Sequence, residues 1–490
     1  MHGEIDLSEP FDPDADTLRE ECGVFGILGH EDASALTALG LHALQHRGQE
    51  AAGIVTFDND QFRAERHLGL VGDHFSKAET MERLTGMGAV GHVRYSTTGE
   101  TILRNVQPLF AELEGGGIAI CHNGNFTNAL TIRQQLIRDG AICQSTSDSE
   151  VVLQLVARSR EHKIVDRFID AITKMEGAYA LVALTAKKLI GARDPLGIRP
   201  LVLGDLNGAP ILASETCALD IIGATFIREV ENGEVVVCTP SGIESYFPFG
   251  KQPARPCIFE YIYFSRPDSV IGGRSVYNVR REMGRHLARE SIVDCDVVVP
   301  VPDSGVPAAI GFSQESGVPF ELGIIRNHYV GRTFIEPTQQ IRTLGVKLKH
   351  SANKAIIQGK RVILIDDSLV RGTTSVKIVQ MIRDAGATEV HFRLACPPIR
   401  YSDYYGIDTP VREKLLAAKY NMEEMRKYIG ADTLSFLSID GLYRAMGFEG
   451  RDNENPQFTD HCFTGDYPTP LTDLAEDHDF VRSPRLVEVG

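Results

Sequence analysis

Apolar positions along this chain follow two rhythms. In the first half they come as short runs of small or β-branched residues at 22–27, 51–57, 90–96, 118–121, 177–184 (GAYALVAL) and 189–192. Runs of this length, bounded by turn residues, predict buried strands. Two stretches keep helical spacing instead. Residues 33–45 form one, closed at the turn glycine of Leu44-Gln45-His46-Arg47-Gly48. The other carries Val151, Val152, Leu153, Leu155 and Val156 behind Ser147-Asp148-Ser149-Glu150, where Ser147 and Glu150 have the spacing of a capping box.

Beyond residue 256 strands and helices alternate. Residues 257–264 (CIFEYIYF), 297–301, 362–365 and 390–395 predict strands, and 277–290 and 376–382 predict helices. This alternation predicts a parallel sheet covered by helices. Residues 412–446 read as helical with a break at Gly430-Ala431-Asp432, and 458–470 read as surface loop. The expected fold class is α+β in the first half and α/β in the second.

Composition narrows the function. The 490 residues, 43% of them hydrophobic, suffice for two or three packed domains. A net charge of −16 argues against nucleic acid or an anionic membrane as main partner. No apolar run reaches the ~18 residues of a membrane span. The first 21 residues hold eight acids and one Arg, the reverse of a secretory signal, and alone read as a disordered tail. Nine scattered cysteines fit a reducing cytoplasm. One region departs from the acidic balance: 326–360 holds seven Lys or Arg and one acid, Glu336, a local excess of +6 suited to focusing a polyanion.

That basic region leads into the densest chemical signal, RVILIDDSLVRGTTS at 361–375. A strand ends in Asp366 and Asp367, a small polar loop follows, and a helix begins, which places a ligand at the carboxyl end of a parallel strand. Gly372 lets backbone N–H groups approach a phosphate, Thr373, Thr374 and Ser375 add hydroxyl donors, and the helix start favours an anion. The acid pair suits sugar hydroxyls or a Mg²⁺ ion. A second loop, Pro302-Asp303-Ser304-Gly305, ends the strand at 297–301; Ser304 reads equally as a turn hydroxyl. In the first half Arg94 lies near a strand end, where its fork suits a carboxylate. Asn123-Gly124 follows a strand as a tight turn would. Asp148 stands where an acid complements a helix dipole.

Residues 361–375 resemble the phosphoribosyl pyrophosphate (PRPP) loop of type I phosphoribosyltransferases. Cys22-Gly23-Val24-Phe25-Gly26-Ile27, with Arg94, Asn123, Gly124 and Asp148, resembles the N-terminal-nucleophile class II glutamine amidotransferases. From Cys22 to about Pro470 the chain is similar to the glutamine PRPP amidotransferase family. The resemblance implies a propeptide at 1–21, removed autocatalytically, and an αββα glutaminase sandwich at 22–240. It further implies a phosphoribosyltransferase domain with C-terminal helices at 257–470 and an acidic tail at 471–490. Cys22 would be the nucleophile, with its freed α-amine as base. Asn123 and Gly124 would form the oxyanion hole, and Arg94 and Asp148 would hold glutamine. PRPP would be held by Asp366, Asp367, Ser368, Arg371, Gly372, Thr373, Thr374, Ser375 and, from a closing loop at 329–334, Arg332. Mg²⁺ would sit on Ser304, Asp366 and Asp367.

The implied reaction is the first step of purine synthesis: glutamine, PRPP and water give 5-phosphoribosylamine, glutamate and pyrophosphate. A cytoplasmic homotetramer inhibited by purine nucleotides, without nucleic acid or membrane partners, is implied as well. The alternative is a PRPP- or nucleotide-binding regulator that kept the fold and lost catalysis. It would have no need of Cys22 together with the glutamine residues. One branch of the family carries a [4Fe–4S] cluster on four cysteines. Here only Cys257 and Cys462 stand at those positions, beside Asp403 and Thr459, with Cys396 seven residues before Asp403. The expectation is therefore no iron–sulfur cluster.

Overall fold

Short β-branched strands cannot bury both faces alone, so they pair into sheets and the sheets stack. The computed structural model describes residues 19–20, 22–95, 102–327 and 350–475. It contains two antiparallel sheets in the first half. One runs Thr225–Glu229, Val202–Leu206, Ala209–Ala213, Gly23–Leu28, Gly88–Arg94, Ala51–Asp58, Gln61–Leu68. The other runs Gly242–Tyr246, Val235–Thr239, Leu189–Arg193, Gly177–Thr185, Gly116–Phe126, Leu109–Leu113. Val24, Val90, Ala119, Cys121 and Val182 pack between them. The sheets lie so close that a Cβ at Gly26 would come within 2.7 Å of Leu189. Helix Ala33–Ala43 covers the outer face of the first sheet through Leu41, against Phe25 and Ala52. Helices Ser149–Arg158 and Ile164–Ile172 cover the second through Val152 and Phe168. Each such fully buried large apolar side chain contributes about 1.5–3 kcal/mol. The layers are αββα.

In the second half Val297–Pro300, Arg361–Asp366, Glu389–Leu394 and Thr433–Phe436 form a parallel sheet. Alternate side chains go to opposite cores: Val297, Val299, Val362 and Leu364 to one, Val298, Ile363 and Ile365 to the other. Burial on both faces explains why these strands read as unbroken apolar runs. The second core also takes in Ala178 and Ile198 from the glutaminase-like half, against Phe259, Tyr405 and Cys462. The two halves thus share one hydrophobic core.

Four expectations need correction. Residues 257–264 are not a strand: Glu260–Phe264 is a π-helical turn, buried in the shared core, with the Ser265 N–H reaching the Glu260 carbonyl at 3.2 Å. A run buried on all sides carries no period that separates strand from helix. Residues 412–446 are not all helical. Thr433–Phe436 is the fourth parallel strand, paired with Glu389–Leu394, and its four residues are too few to show alternation. The Ser147–Glu150 capping box does not form. Asp148 occupies the cap position, and Glu150 turns back to accept from the Gln144 and Ser145 N–H groups at 2.6 and 2.9 Å. Finally, Asn123-Gly124 is not a turn but lies inside the strand Gly116–Phe126. Arg332, with the loop at 329–334, lies outside the described residues, as do most of 1–21 and 476–490. Arg19–Glu20 pairs antiparallel with Ile407–Asp408.

Candidate active site

Strand register assembles the first candidate cluster. Gly23 sits opposite Val93, so Cys22 and Arg94 come next to one another at that end of the pair. Cys22 is buried, its backbone N–H donates to the Arg47 carbonyl at 3.1 Å, and its thiol lies 3.7 Å from the Tyr95 carbonyl. Cys121 faces the space between the sheets, and its thiol is perturbed by that of Cys22 as well as by burial, which pushes it well up. Asn123, two residues on, projects from the same strand face. Its side chain is 0% exposed, and neither amide atom has a hydrogen-bond partner among the described residues. Leaving such a group unpaired costs about 1–3 kcal/mol, which a stabilising substrate contact would offset. Gly124 has φ 129°, and a Cβ there would meet the Ala178 carbonyl oxygen at 2.1 Å, so only glycine fits.

Asp148 closes the cluster. Burial alone would raise its pKa, but the His122 ring, the Phe126 N–H at 3.2 Å and the Ser149 hydroxyl hold it below the usual carboxylate range. It is an ionised, buried carboxylate, suited to an ammonium group. A cavity of about 180 Å³ beside it is lined by Asn125, Thr127, Arg133, Thr146 and Tyr404. The larger cavity, about 660 Å³ around Arg193, Arg255 and Arg274, contains none of the candidate residues. Arg94 is buried and donates to the Asn105 carbonyl.

Three supports of this cluster escaped the sequence reading. Arg47, fully buried, presents the carbonyl that holds Cys22 while its guanidinium pairs with Glu215 and, at 2.6 Å, with Glu260 of the other half. Burial would raise the Glu215 pKa, but Arg47 and His46 hold it far below the carboxylate range. His122 braces Asp148, with Nδ1 3.6 Å from its carboxylate and 3.1 Å from the Ser149 hydroxyl. His92 lies beneath, 3.0 Å from the His122 carbonyl, its pKa lowered by burial to about 3, so it stays neutral. The histidine flanking Asn-Gly was the available clue.

The second cluster forms where two parallel strands end side by side. The Val301 N–H donates to the Ile365 carbonyl at 2.8 Å, which brings the loop holding Ser304 against Asp367. Asp367 is buried and bonded by the Ser304 and Ser368 hydroxyls; burial raises its pKa against those two hydroxyls and the Arg280 guanidinium, which lower it. The Asp366 carboxylate is partly exposed and accepts from the Asp367 N–H at 2.9 Å. Gly372, at φ 83°, stands at the cap of helix Thr373–Asp384, so Thr373, Thr374 and Ser375 open its first turn and Arg371 precedes the cap. The hard oxygen donors of Asp366, Asp367 and Ser304 fit Mg²⁺.

The third set does not fit a metal cluster. Cys257 and Cys462 are buried, and Cys257 lies near enough to raise the Cys462 thiol; burial pushes Cys257 up to about 12 and Cys462 well above its ordinary value. The Thr459 hydroxyl donates to the Arg255 carbonyl at 2.5 Å. Asp403, His461 and Cys462 have ligand atoms within 4.8 Å of one another, but Asp403 already accepts from two backbone N–H groups. Cys396 lies elsewhere, bonded to the Pro397 carbonyl, and besides burial its thiol feels Asp367 and Asp366. Two thiols fall short of the four a [4Fe–4S] cluster takes. Iron and acid-labile sulfide, measured on anaerobically purified protein, are expected well below the ~4 of each per chain that a cluster requires.

Comparison with known proteins agrees with this geometry. A glutamine amidotransferase domain model matches 92–220, and a phosphoribosyl transferase domain model matches 281–410. The amidophosphoribosyltransferase of Rhizobium etli is 69% identical over 466 residues, 94% of each chain. The chain belongs to the amidophosphoribosyltransferase family. The amidophosphoribosyltransferase of Bacillus subtilis is 48% identical over 456 residues, 93% of this chain and 95% of that one. A solved structure of glutamine PRPP amidotransferase from the same organism, complexed with ADP and GMP, superposes with a TM-score of 0.87 at 47% identity, covering 92% of this chain and 98% of that chain. As in other amidophosphoribosyltransferases, a glutamine amidotransferase domain is joined here to a phosphoribosyltransferase domain. The regulator alternative is not supported.

Proposed function

We propose that the chain makes 5-phosphoribosylamine from glutamine, PRPP and water through two separate half-sites, residues 22–240 supplying ammonia and 257–470 using it. The observation that carries the reading is the buried, unpartnered amide of Asn123, two residues along its strand from Cys121, whose thiol feels that of Cys22. The Cys22 thiol gives its proton to the α-amine and its sulfur attacks the glutamine amide carbon. The oxyanion accepts from the Asn123 amide and the Gly124 N–H. The C–N bond breaks as the α-ammonium gives that proton to the nitrogen, which leaves as ammonia, and water releases glutamate from the thioester. Arg94 orients the substrate carboxylate and Asp148 its ammonium. Ammonia passes within the protein to the ribose C1 of PRPP, and pyrophosphate departs. The hydroxyls of Thr373, Thr374 and Ser375, with Ser368, Arg371 and the Gly372 backbone, hold the 5-phosphate. Asp366, Asp367 and Ser304 are the residues that would hold Mg²⁺, which would neutralise pyrophosphate charge. The protein is cytoplasmic in this reading; among the described residues no helix is long and apolar enough to cross a membrane. Because the Bacillus subtilis relative was solved with ADP and GMP, we also assign purine nucleotides as feedback ligands of a homo-oligomer, a tetramer by family likeness.

The deciding assay supplies glutamine, PRPP and Mg²⁺ and measures glutamate and pyrophosphate together; equal amounts are expected, and glutamate without pyrophosphate sinks the coupled reaction.

Processing follows from the same chemistry, since the base is a free α-amine. Cys22 holds φ 82°, a conformation costing a non-glycine residue about 1–3 kcal/mol. Cutting the 21–22 bond removes the preceding carbonyl and with it that strain. Intact-mass measurement of active protein should show residues 1–21 lost. Full glutaminase activity in a chain still starting at Met1 contradicts the proposal.

A further inference from the structure

The oxyanion strand is backed by a peptide from the other half of the chain. Asn125 Nδ2 donates to the Tyr404 carbonyl at 2.9 Å, and Arg199 Nε donates to the Tyr405 carbonyl at 2.9 Å. Between them Gly406, at φ 115°, lies flat on Gly124: a Cβ at 406 would stand 2.9 Å from the Gly124 Cα. Residues 404–406 therefore fix where the backbone of Gly124 sits.

What shapes that peptide is one carboxylate. Asp403 Oδ2 accepts from the N–H groups of Tyr405 at 2.8 Å and Ile407 at 2.6 Å, curling the segment around itself. Its other oxygen lies 2.7 Å from His461 Nε2, and both side chains are only 1% exposed. The Tyr405 ring meets the His461 ring edge-on at 5.0 Å, and the Asp403 N–H donates to the Thr409 hydroxyl at 2.7 Å. Burial works against the charge, but His461 and Arg199 hold the Asp403 pKa below the ordinary value, so the acceptor stays ionised. The two N–H bonds to the Asp403 carboxylate are charge-assisted and about twice as strong as neutral ones; His461 Nε2, also 3.3 Å from Cys462 Sγ, flanks the other oxygen.

We propose that Asp403, clamped by His461, is a positioning residue for glutamine hydrolysis: it holds residues 404–407 against Gly124 and so aims the oxyanion donors. This rests on the assignment of Asn123 and Gly124 as those donors. Asp403 touches no reacting atom; it acts through Gly406 and Asn125. Neither residue belongs to the PRPP cluster, so synthesis from ammonium salt does not depend on them.

The test uses the processed full-length enzyme and compares glutaminase kcat and KM with ammonia-dependent synthesis. Asp403→Asn should lower glutaminase kcat on the order of 10–100-fold, the cost of misplacing a reacting geometry by about an ångström. KM for glutamine should change less than kcat, because Arg94 and Asp148 are untouched although Asn125 and Tyr404 line the cavity beside Asp148, and ammonia-dependent synthesis should stay within about twofold. His461→Ala should act the same way, while His461→Gln, which keeps a donor near Asp403, should recover most of the loss. Asn123→Ala serves as the control for the underlying assignment. If it leaves kcat intact, the oxyanion reading fails; if it lowers kcat while the Asp403 and His461 variants do not, this proposal alone fails. Equal loss of both activities in every variant, or failure of all of them to fold, means that the pair serves stability only and overturns the proposal.

Discussion

Cys22→Ala is expected to abolish ammonia release from glutamine, by roughly 10⁴-fold or more, as removal of a covalent nucleophile does elsewhere. Synthesis from added ammonium salt should survive. Cys121 is the thiol nearest in kind, but it is buried and its pKa is pushed well up, so it offers no thiolate in reserve. The PRPP cluster is built from other strands, at the ends of Val297–Pro300 and Arg361–Asp366. Alanine at 22 removes one sulfur from a position already packed against strand Gly88–Arg94, so the fold should persist. Glutamate release and ammonia-dependent pyrophosphate release, assayed in parallel, decide it. Loss of both in a protein that melts normally is incompatible with two half-sites.

The second large effect is at Asp367. Asp367→Asn should lower kcat/KM for PRPP by on the order of 10²–10³, with glutamine or ammonia alike. The change keeps the side chain's shape and leaves an oxygen for Ser304 and Ser368, so it tests the charge. That charge is held in a buried place where burial raises its pKa against the pull of the Ser304 and Ser368 hydroxyls and of Arg280. Weaker holding of the Mg²⁺ that would neutralise pyrophosphate, worth several kcal/mol, corresponds to the stated factor. Stability should move the other way, if at all. A desolvated carboxylate costs free energy in the folded state, and a neutral amide relieves it. Thermal melting should therefore be unchanged or higher. An Asp367→Asn enzyme of normal PRPP kinetics, or one whose loss is matched by a lowered melting temperature, contradicts the assignment.

Much of the PRPP cluster was legible because its parts lie within 15 residues. A strand, two acids, a glycine that must adopt positive φ and a run of hydroxyls at a helix start are all local requirements, and RVILIDDSLVRGTTS states them in order. The glutaminase cluster was legible only through family likeness. Cys22, Arg94, Asn123 and Asp148 lie on separate elements, and no spacing rule connects them. Asn123-Gly124 after an apolar run has the look of a tight turn, because positive φ is usual in turns. Here it serves a strand pressed against Ala178.

The amino-acid pattern alone determined the buried strands at Ala51–Asp58, Gly177–Thr185 and Arg361–Asp366 and the helix at Val276–Ser291, since each carries its own period or apolar run. It also pointed to a phosphate-and-sugar site at 361–375. Tertiary structure decided the rest. Glu260 became a buried partner of Arg47 across 213 residues, turning an apparent strand into a helical turn in the shared core. Thr433–Phe436 became a strand because Glu389–Leu394 offered an open parallel edge. Asp403 became the clamp behind Gly124 because His461 arrives from 58 residues away to share its buried carboxylate. Buried charges must find partners wherever the chain brings them, and a local pattern holds no record of a partner so distant.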